Sequence, residues 1–184
     1  MTSAPSQMKM QREVSGAPAA ALPADGVSIR TFRRGDDESV AGVYRACGLG
    51  AADAVERLLA HPSFLPERLF VAEDRGAVAG TAAAFVDRLD ATSGFLHMMG
   101  VLPDHRGRGL GRALVVATLS RHREEGRLRQ WLRTDEHRVD AIRLYLGLGY
   151  RPLYFDETHE ARWARLLREI GRPELIAEAA WGSA

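Results

Sequence analysis

The stretch VLPDHRGRGLGRALV, Val101 to Val115, decides how the rest of the chain is read. Between Arg106 and Arg112, three glycines (Gly107, Gly109, Gly111) alternate with three arginines (Arg106, Arg108, Arg112). Each glycine lowers helix propensity by up to about 1 kcal/mol, and neighbouring arginines repel, so the run is costly unless an anion sits on it. The first-turn N–H groups of a helix have no internal partner and lie at the positive end of its dipole. Glycine lets a phosphate approach that backbone closely. Residues 104–133 hold eight arginines against Asp104, Glu124 and Glu125, a local +5 within a molecule of net charge +1. The bland alternative is a solvated basic turn capping a buried helix; the glycines weigh against it. A P-loop is excluded because no lysine follows the glycines. The dinucleotide fingerprint fails because Arg112 stands where its third glycine belongs.

The 184 residues suffice for one globular domain with appendages. A hydrophobic fraction of 46% and a charged fraction of 27% are those of an ordinary globular chain, not a disordered one. The net charge of +1 argues against a polycation built for nucleic acid, and residues 105–112 carry no aromatic for base stacking. Lys9 is the sole lysine, so the arginine excess reads first as a compositional bias. Cys47 is the sole cysteine, which rules out an intrachain disulfide and fits a reducing, cytoplasmic setting. No apolar run approaches the ~18 residues of a membrane span, and the start lacks the pattern of a secretory leader. Residues 1–26, rich in Ala, Pro, Ser and Gly, read as a disordered tail.

Periodicity predicts a strand over Val27–Phe32, then helices opening after Asp36 and over Ala52–Ala60. RLFVAED and AVAGTAAAFVD read as a hairpin turning at Arg75-Gly76, and FLHMMGVL as a strand ended by Pro103. A long helix is expected from Gly107 to Glu125, with Leu110, Leu114, Ala117 and Arg121 on one side and Gly126 just past its end. LRQWLRT is a strand, and RVDAIRLYLGLG a helix with Ala141, Leu144, Tyr145 and Leu148 on one face. YRPLYF is a further strand. Trp163, Leu166, Leu167 and Ile170 mark a closing helix, and Pro173 opens a short last one. The fold class is mixed α/β (α+β), with about six mostly antiparallel strands and a helical C-terminal extension.

Strand, V-x-P-x-x-R-G-x-G-x-G, long helix resembles the acetyl-CoA-binding motif of the GCN5-related N-acetyltransferases (GNAT), here VLPDHRGRGLGRALV. AIRLYLGLGYRP is similar to the family's second signature, and the order of elements matches over residues 27–156. The resemblance implies an acetyltransferase domain over 27–156, with 157–184 packed on it as a helical extension. It implies acetyl-CoA as co-substrate without a metal. Arg106, Gly107, Arg108, Gly109, Leu110, Gly111 and Arg112 would cradle the pyrophosphate. Met99, Gly100 and Val101 would hydrogen-bond the pantetheine like an added strand. Tyr145 would protonate the departing thiolate; the competing reading, from its place on the apolar stripe, is a core tyrosine. His97 resembles the histidine of arylalkylamine acetyltransferases, and an imidazole titrating near ~6.5 suits a general base. A histidine simply hydrogen-bonded in the interior is the competing reading, and Asp135 and Glu136 are competing carboxylates. Many members carry an asparagine that contacts the pantetheine arm where Arg138 stands, so either the arm is held differently or Arg138 does a related job in binding the cofactor.

These readings favour transfer of acetyl to the primary amine of a small molecule by direct attack in a ternary complex. Protein N-terminal or lysine acetylation and a non-catalytic acyl-CoA-binding module are the alternatives. Asp87, Asp90, Asp135, Glu136, Asp156 and Glu157 could form an acidic rim or be solvated loop charges, and His159 or Trp163 could wall an acceptor pocket, although the companions of Trp163 at helical spacing favour a core residue. No nucleic-acid or membrane partner is expected, and the assembly is expected to be a monomer or homodimer.

Overall fold

The computed structural model describes residues 6–16, 18, 25–62, 64–86 and 90–182. Strands β1 (Met8–Glu13) and β2 (Val27–Thr31) precede helices α1 (Asp37–Ala46) and α2 (Ala54–Leu59). β3 (Leu69–Asp74), β4 (Ala77–Val86) and β5 (Ser93–Val101) follow, then α3 (Leu110–Glu124). β6 (Arg129–Thr134), α4 (Val139–Gly147), β7 (Arg151–Tyr154), α5 (Glu157–Glu169) and β8 (Ala180–Trp181) complete the chain.

Among the described residues, eight strands replace the expected six. The disordered-tail reading is corrected over 8–13, because β1 pairs antiparallel with β7, Lys9 opposite Leu153. Its alternation is short but real: Met8 and Met10 are buried, while Lys9 and Gln11 are half-buried. At the other end, β8 lies parallel to β7, so the C-terminal segment is not wholly helical. Residues 1–5, 17 and 19–24 of the expected tail lie outside the described residues, as does Asp87.

The chain divides into two compact units, Glu13–Gln130 and a second formed by Met1–Arg12 with Trp131–Ala184. In the larger unit β2, β3, β4 and β5 lie in that order as an antiparallel sheet. The β3–β4 hairpin turns where the sequence predicts it. Arg75 and Gly76 both take positive φ (52° and 85°), the geometry that matches strand twist in a two-residue turn. One sheet face packs Leu69, Val71, Ala83 and Phe85 against Val40 and Tyr44 of α1 and Val55 and Leu58 of α2. The other face receives α3, whose Leu114 and His122 lie over Gly80 and Gly94. Neither glycine has room for a side chain: a Cβ on Gly94 would stand 2.3 Å from the His122 ring.

α3 starts at Leu110 rather than Gly107, because Gly107 and Gly109 adopt positive φ and belong to the preceding loop. Its buried surface is broader than the expected stripe and includes Ala113, Val115, Val116 and Leu119. In the smaller unit β6, β1, β7 and β8 are neighbours in that order. α4 buries Ile142, Tyr145 and Leu146, and Leu144 is only half-buried. α5 is capped by Asp156, whose side chain accepts from the N–H groups of Thr158 and His159. Trp163 is fully buried and His159 nearly so. Around His159, Ser6 Oγ lies 3.1 Å from Nε2 and 3.1 Å from Asp156 Oδ2, while the Phe155 N–H donates to Nδ1 at 3.1 Å.

His122 carries a buried polar network with every member paired. Nε2 donates to the Phe85 carbonyl (2.8 Å), and Nδ1 accepts from Gln130 Nε2 (2.7 Å), which also donates to Thr118 (3.2 Å). Burial pulls the imidazole pKa down to about 4, against ~6.5 for a free histidine. Between those values the unfolded chain binds a proton that the folded chain refuses. The contribution is therefore complete above pH ~6.5 and is lost as pH falls through about 4. At ~1.4 kcal/mol per pH unit, His122 alone removes about 2 kcal/mol between pH ~6.5 and ~5. Urea unfolding at pH 7 and pH 5 checks this. A His122→Asn variant loses that part of the slope; equal slopes in variant and wild type contradict it.

Candidate active site

The site begins in β5. Ala83 stands opposite His97 and Thr81 opposite Gly100, so Met98 and Met99 face only Ala82. This is a β-bulge, and Met98 occupies its left-handed position at φ 50°. The Thr81 hydroxyl donates to the Met98 carbonyl (3.1 Å) and holds the kink. The extra residue reverses the alternation of side chains along the strand. Phe95 and His97 turn toward α1 and α2 before the bulge, and Gly100 does so after it. A Cβ on Gly100 would lie 2.7 Å from Leu49 and 3.0 Å from Cys47 Sγ. His97 lies between two phenyl rings, 5.2 Å from that of Phe85 and 5.1 Å from that of Phe95. His61 also stacks on Phe85, at 4.9 Å.

Past Val101 the chain makes a short 3-10 turn over Pro103–His105 and reaches α3 through Arg106–Gly109. Gly109 is the residue before the helix, in the left-handed conformation at φ 81°, and no side chain caps that end. The first intrahelical bond runs from Ala113 N to Gly109 O (3.0 Å), so the N–H groups of Leu110, Gly111 and Arg112 precede it. A Cβ on Gly107 or Gly109 would meet nothing within 4 Å. The loop thus presents a bare main-chain surface at the positive end of a four-turn helix, a fit for a diphosphate.

The three arginines do not act alike. The Arg108 guanidinium is engaged within the chain: one nitrogen pairs with Asp74 and another donates to the Asp25 carbonyl (3.2 Å). Asp74 also accepts from His105 Nδ1 (2.7 Å). Arg106 reaches back to the Val101 carbonyl (3.2 Å), which Cys47 Sγ approaches at 3.3 Å. Arg112 has no ion-pair partner among the described residues and is half-buried at the helix start. Asp74 and His105 escaped the sequence reading; the only local signal was an acid immediately before the Arg75-Gly76 turn.

Tyr145 and Arg138 lie in the smaller unit. Tyr145 is buried, its ring edge-on to Tyr150 at 5.7 Å. Burial pushes its phenol up to about 12, with the Arg138 charge acting against that rise. Arg138 precedes α4 and donates to Asp135 (3.2 Å). The competing carboxylates are engaged: Asp135 also accepts from Gln7 (3.1 Å), and Glu136 pairs with Arg162 and Arg165. Asp90 and Asp156 are both held by local hydrogen bonds. Hydroxyls of Ser93 and Thr92 hold Asp90 down at about 2 in its own turn. Thr158, chiefly, does the same for Asp156 at its cap. Among the described residues no cluster of His, Cys, Asp or Glu could hold a metal ion.

The profile of the Acetyltransferase (GNAT) family matches residues 39–150. The chain is 34% identical over 163 residues to a mycothiol acetyltransferase from Thermobispora bispora, covering 82% of this chain and 55% of that protein. It is 36% identical over 161 residues to one from Frankia casuarinae, covering 78% and 46%. The chain thus spans about half the length of the curated relatives it matches. A GCN5-related N-acetyltransferase from Sphaerobacter thermophilus has the same fold, with a TM-score of 0.66 at 23% identity over 79% of this chain and 47% of that one. So does a diaminobutyrate acetyltransferase from Paenibacillus lautus, solved with L-2,4-diaminobutyric acid and coenzyme A. Its TM-score is 0.56 at 19% identity, over 66% of this chain and 73% of that one.

The loop geometry makes a prediction that needs no ligand. Gly109→Ala has space for its methyl but not the backbone conformation, and loses about 1–2 kcal/mol of stability. Gly109→Asn, which tolerates that conformation, loses clearly less by urea unfolding. Equal losses would locate the strain elsewhere.

Proposed function

Since the chain belongs to the acetyltransferase (GNAT) family, we propose that it moves an acetyl group from acetyl-CoA to the primary amine of a small molecule. The observation that carries this reading is the uncapped start of α3 behind two left-handed glycines with nothing above them. A diphosphate offers the charge and the oxygen acceptors that such an end requires, and Arg106 and Arg112 stand beside it. The relatives named for mycothiol and the fold neighbour solved with diaminobutyric acid support a small acceptor in preference to a protein tail.

The reaction asks three things of the chain. The amine must shed a proton before its nitrogen attacks the acetyl carbon, and His97 is the base we assign, acting through water. The carbonyl oxygen gathers negative charge as the new C–N bond forms, and main-chain N–H groups of Met99–Val101, turned by the bulge, are its proposed donors. The C–S bond then breaks and the thiolate takes a proton from the Tyr145 hydroxyl. A phenol raised to about 12 keeps its proton through the neutral and mildly alkaline range, as an acid must. Met99–Val101 would also hold the pantetheine arm along the strand edge. Arg138, which donates to Asp135, is a further candidate for contact with that arm.

Thiol release from acetyl-CoA over a panel of amines tests the activity. Tyr145→Phe should lower kcat by about 10²-fold while leaving KM for acetyl-CoA close to wild type; unchanged turnover removes Tyr145 as the acid. Gly109→Glu places bulk and negative charge at the helix start and should abolish coenzyme A binding in calorimetry. Tight coenzyme A binding with no release to any amine would favour the non-catalytic module.

A further inference from the structure

We infer that Asp74 is a positioning residue for the diphosphate loop, clamping it in its binding shape through Arg108 and His105. The inference rests on the coenzyme A reading above and adds to it a residue outside the glycine-arginine motif.

Asp74 is the last residue of β3, and its backbone is fixed on both sides, opposite Val27 of β2 and Ala77 of β4. Its side chain is 4% exposed. A carboxylate so enclosed is costly unless cations and donors meet it. One oxygen, Oδ2, accepts from both His105 Nδ1 (2.7 Å) and Arg108 Nη1, residues 31 and 34 positions away. The other, Oδ1, has no partner. The His105 bond first, and then the Arg108 charge, hold this carboxyl below the usual range, so it stays ionised and keeps its grip.

Its two targets sit on either side of the weakest point in the loop. Arg108 is the single residue between Gly107 and Gly109, both at positive φ, and His105 lies two residues before Gly107. Unrestrained glycines sample many backbone shapes, and an anion that must select one binds less well. Tying the residue between them to a rigid hairpin removes that freedom before the ligand arrives. Arg108 therefore contributes geometry rather than charge, since Asp74 already neutralises its guanidinium. His105 fixes the entry to the loop by the same oxygen.

This clamp predicts a sign opposite to simple electrostatics. Asp74→Asn removes a negative charge beside an anion site, which by charge alone should tighten binding. With the clamp lost, coenzyme A should instead bind about tenfold more weakly in calorimetry. Arg108→Ala, which cuts one of the two tethers, should weaken it by no more than that, and the double variant should be no weaker than Asp74→Asn, because Asp74 holds both. Arg108→Lys, which keeps the charge but cannot grip Asp74 and the Asp25 carbonyl together, should resemble Arg108→Ala. In steady state, Asp74→Asn should raise KM for acetyl-CoA about tenfold with kcat within about twofold. Its KM for acetylpantetheine, a thioester without the diphosphate, should not move.

Unchanged or tighter coenzyme A binding by Asp74→Asn overturns the clamp alone, as do additive losses or an equal loss with acetylpantetheine. Should Asp74→Asn fail to fold, the two Arg108 variants decide, and wild-type affinity in Arg108→Lys overturns it. Wild-type protein that does not bind coenzyme A overturns the functional reading and the clamp with it.

Discussion

Main-chain N–H groups at the start of α3 with no partner inside the helix are the constraint on which this molecule is organised. A helix end is normally quieted by a side chain, and serine, threonine, aspartate or asparagine before Leu110 would do it. Gly109 stands there instead, without a side chain to turn inward. The donors stay available, and the helix that carries them is anchored along its length by Leu114, Leu119 and His122 against the sheet. An end that is both unsatisfied and rigid is suited to binding, because holding the donors still leaves less to be lost when a ligand arrives.

The bulge in β5 serves the same end by different means. A regular strand would send His97 and Gly100 to opposite faces of the sheet. The extra residue at Met98 brings both to the α1/α2 side and leaves main-chain groups of Met98 and Met99 out of register with β4. A left-handed methionine is costly in the middle of a strand, and such cost is commonly found where the backbone has another task. The Thr81 hydroxyl on the Met98 carbonyl shows the kink to be supported by its neighbours.

What was legible in the sequence was local. Gly107 and Gly109 announce a left-handed loop because few other residues tolerate it, and the apolar positions of α3, α4 and α5 repeat at helical spacing. The Arg75-Gly76 turn was readable for the same reason. β1 was hidden because only Met8 and Met10 alternate there, too short a span, inside a segment whose composition argues for disorder. β8 is two residues long and owes its existence to the neighbouring β7. The bulge was invisible, since nothing in FLHMMGV distinguishes a kinked strand from a straight one. The fate of Arg108 was equally hidden. Its partner lies 34 residues away, and charge counted along a chain does not reveal which charges are already matched in space. Asp135 and Glu136 repeat the lesson: acids that looked like candidate bases are held by Gln7, Arg138, Arg162 and Arg165.

The trio of Ser6, His159 and Asp156 carries a separate consequence. A hydroxyl, an imidazole and a carboxylate within reach of one another invite comparison with the machinery of a hydrolase. The backbone amide of Phe155 forbids it. By donating to Nδ1, that amide obliges the ring hydrogen to reside on Nε2, the nitrogen that faces Ser6. An imidazole so disposed cannot relieve the serine of its proton, and the hydroxyl turns to Asp156 instead. The trio is a rivet joining the residues before β1 to the front of α5, and its tautomer makes it chemically inert.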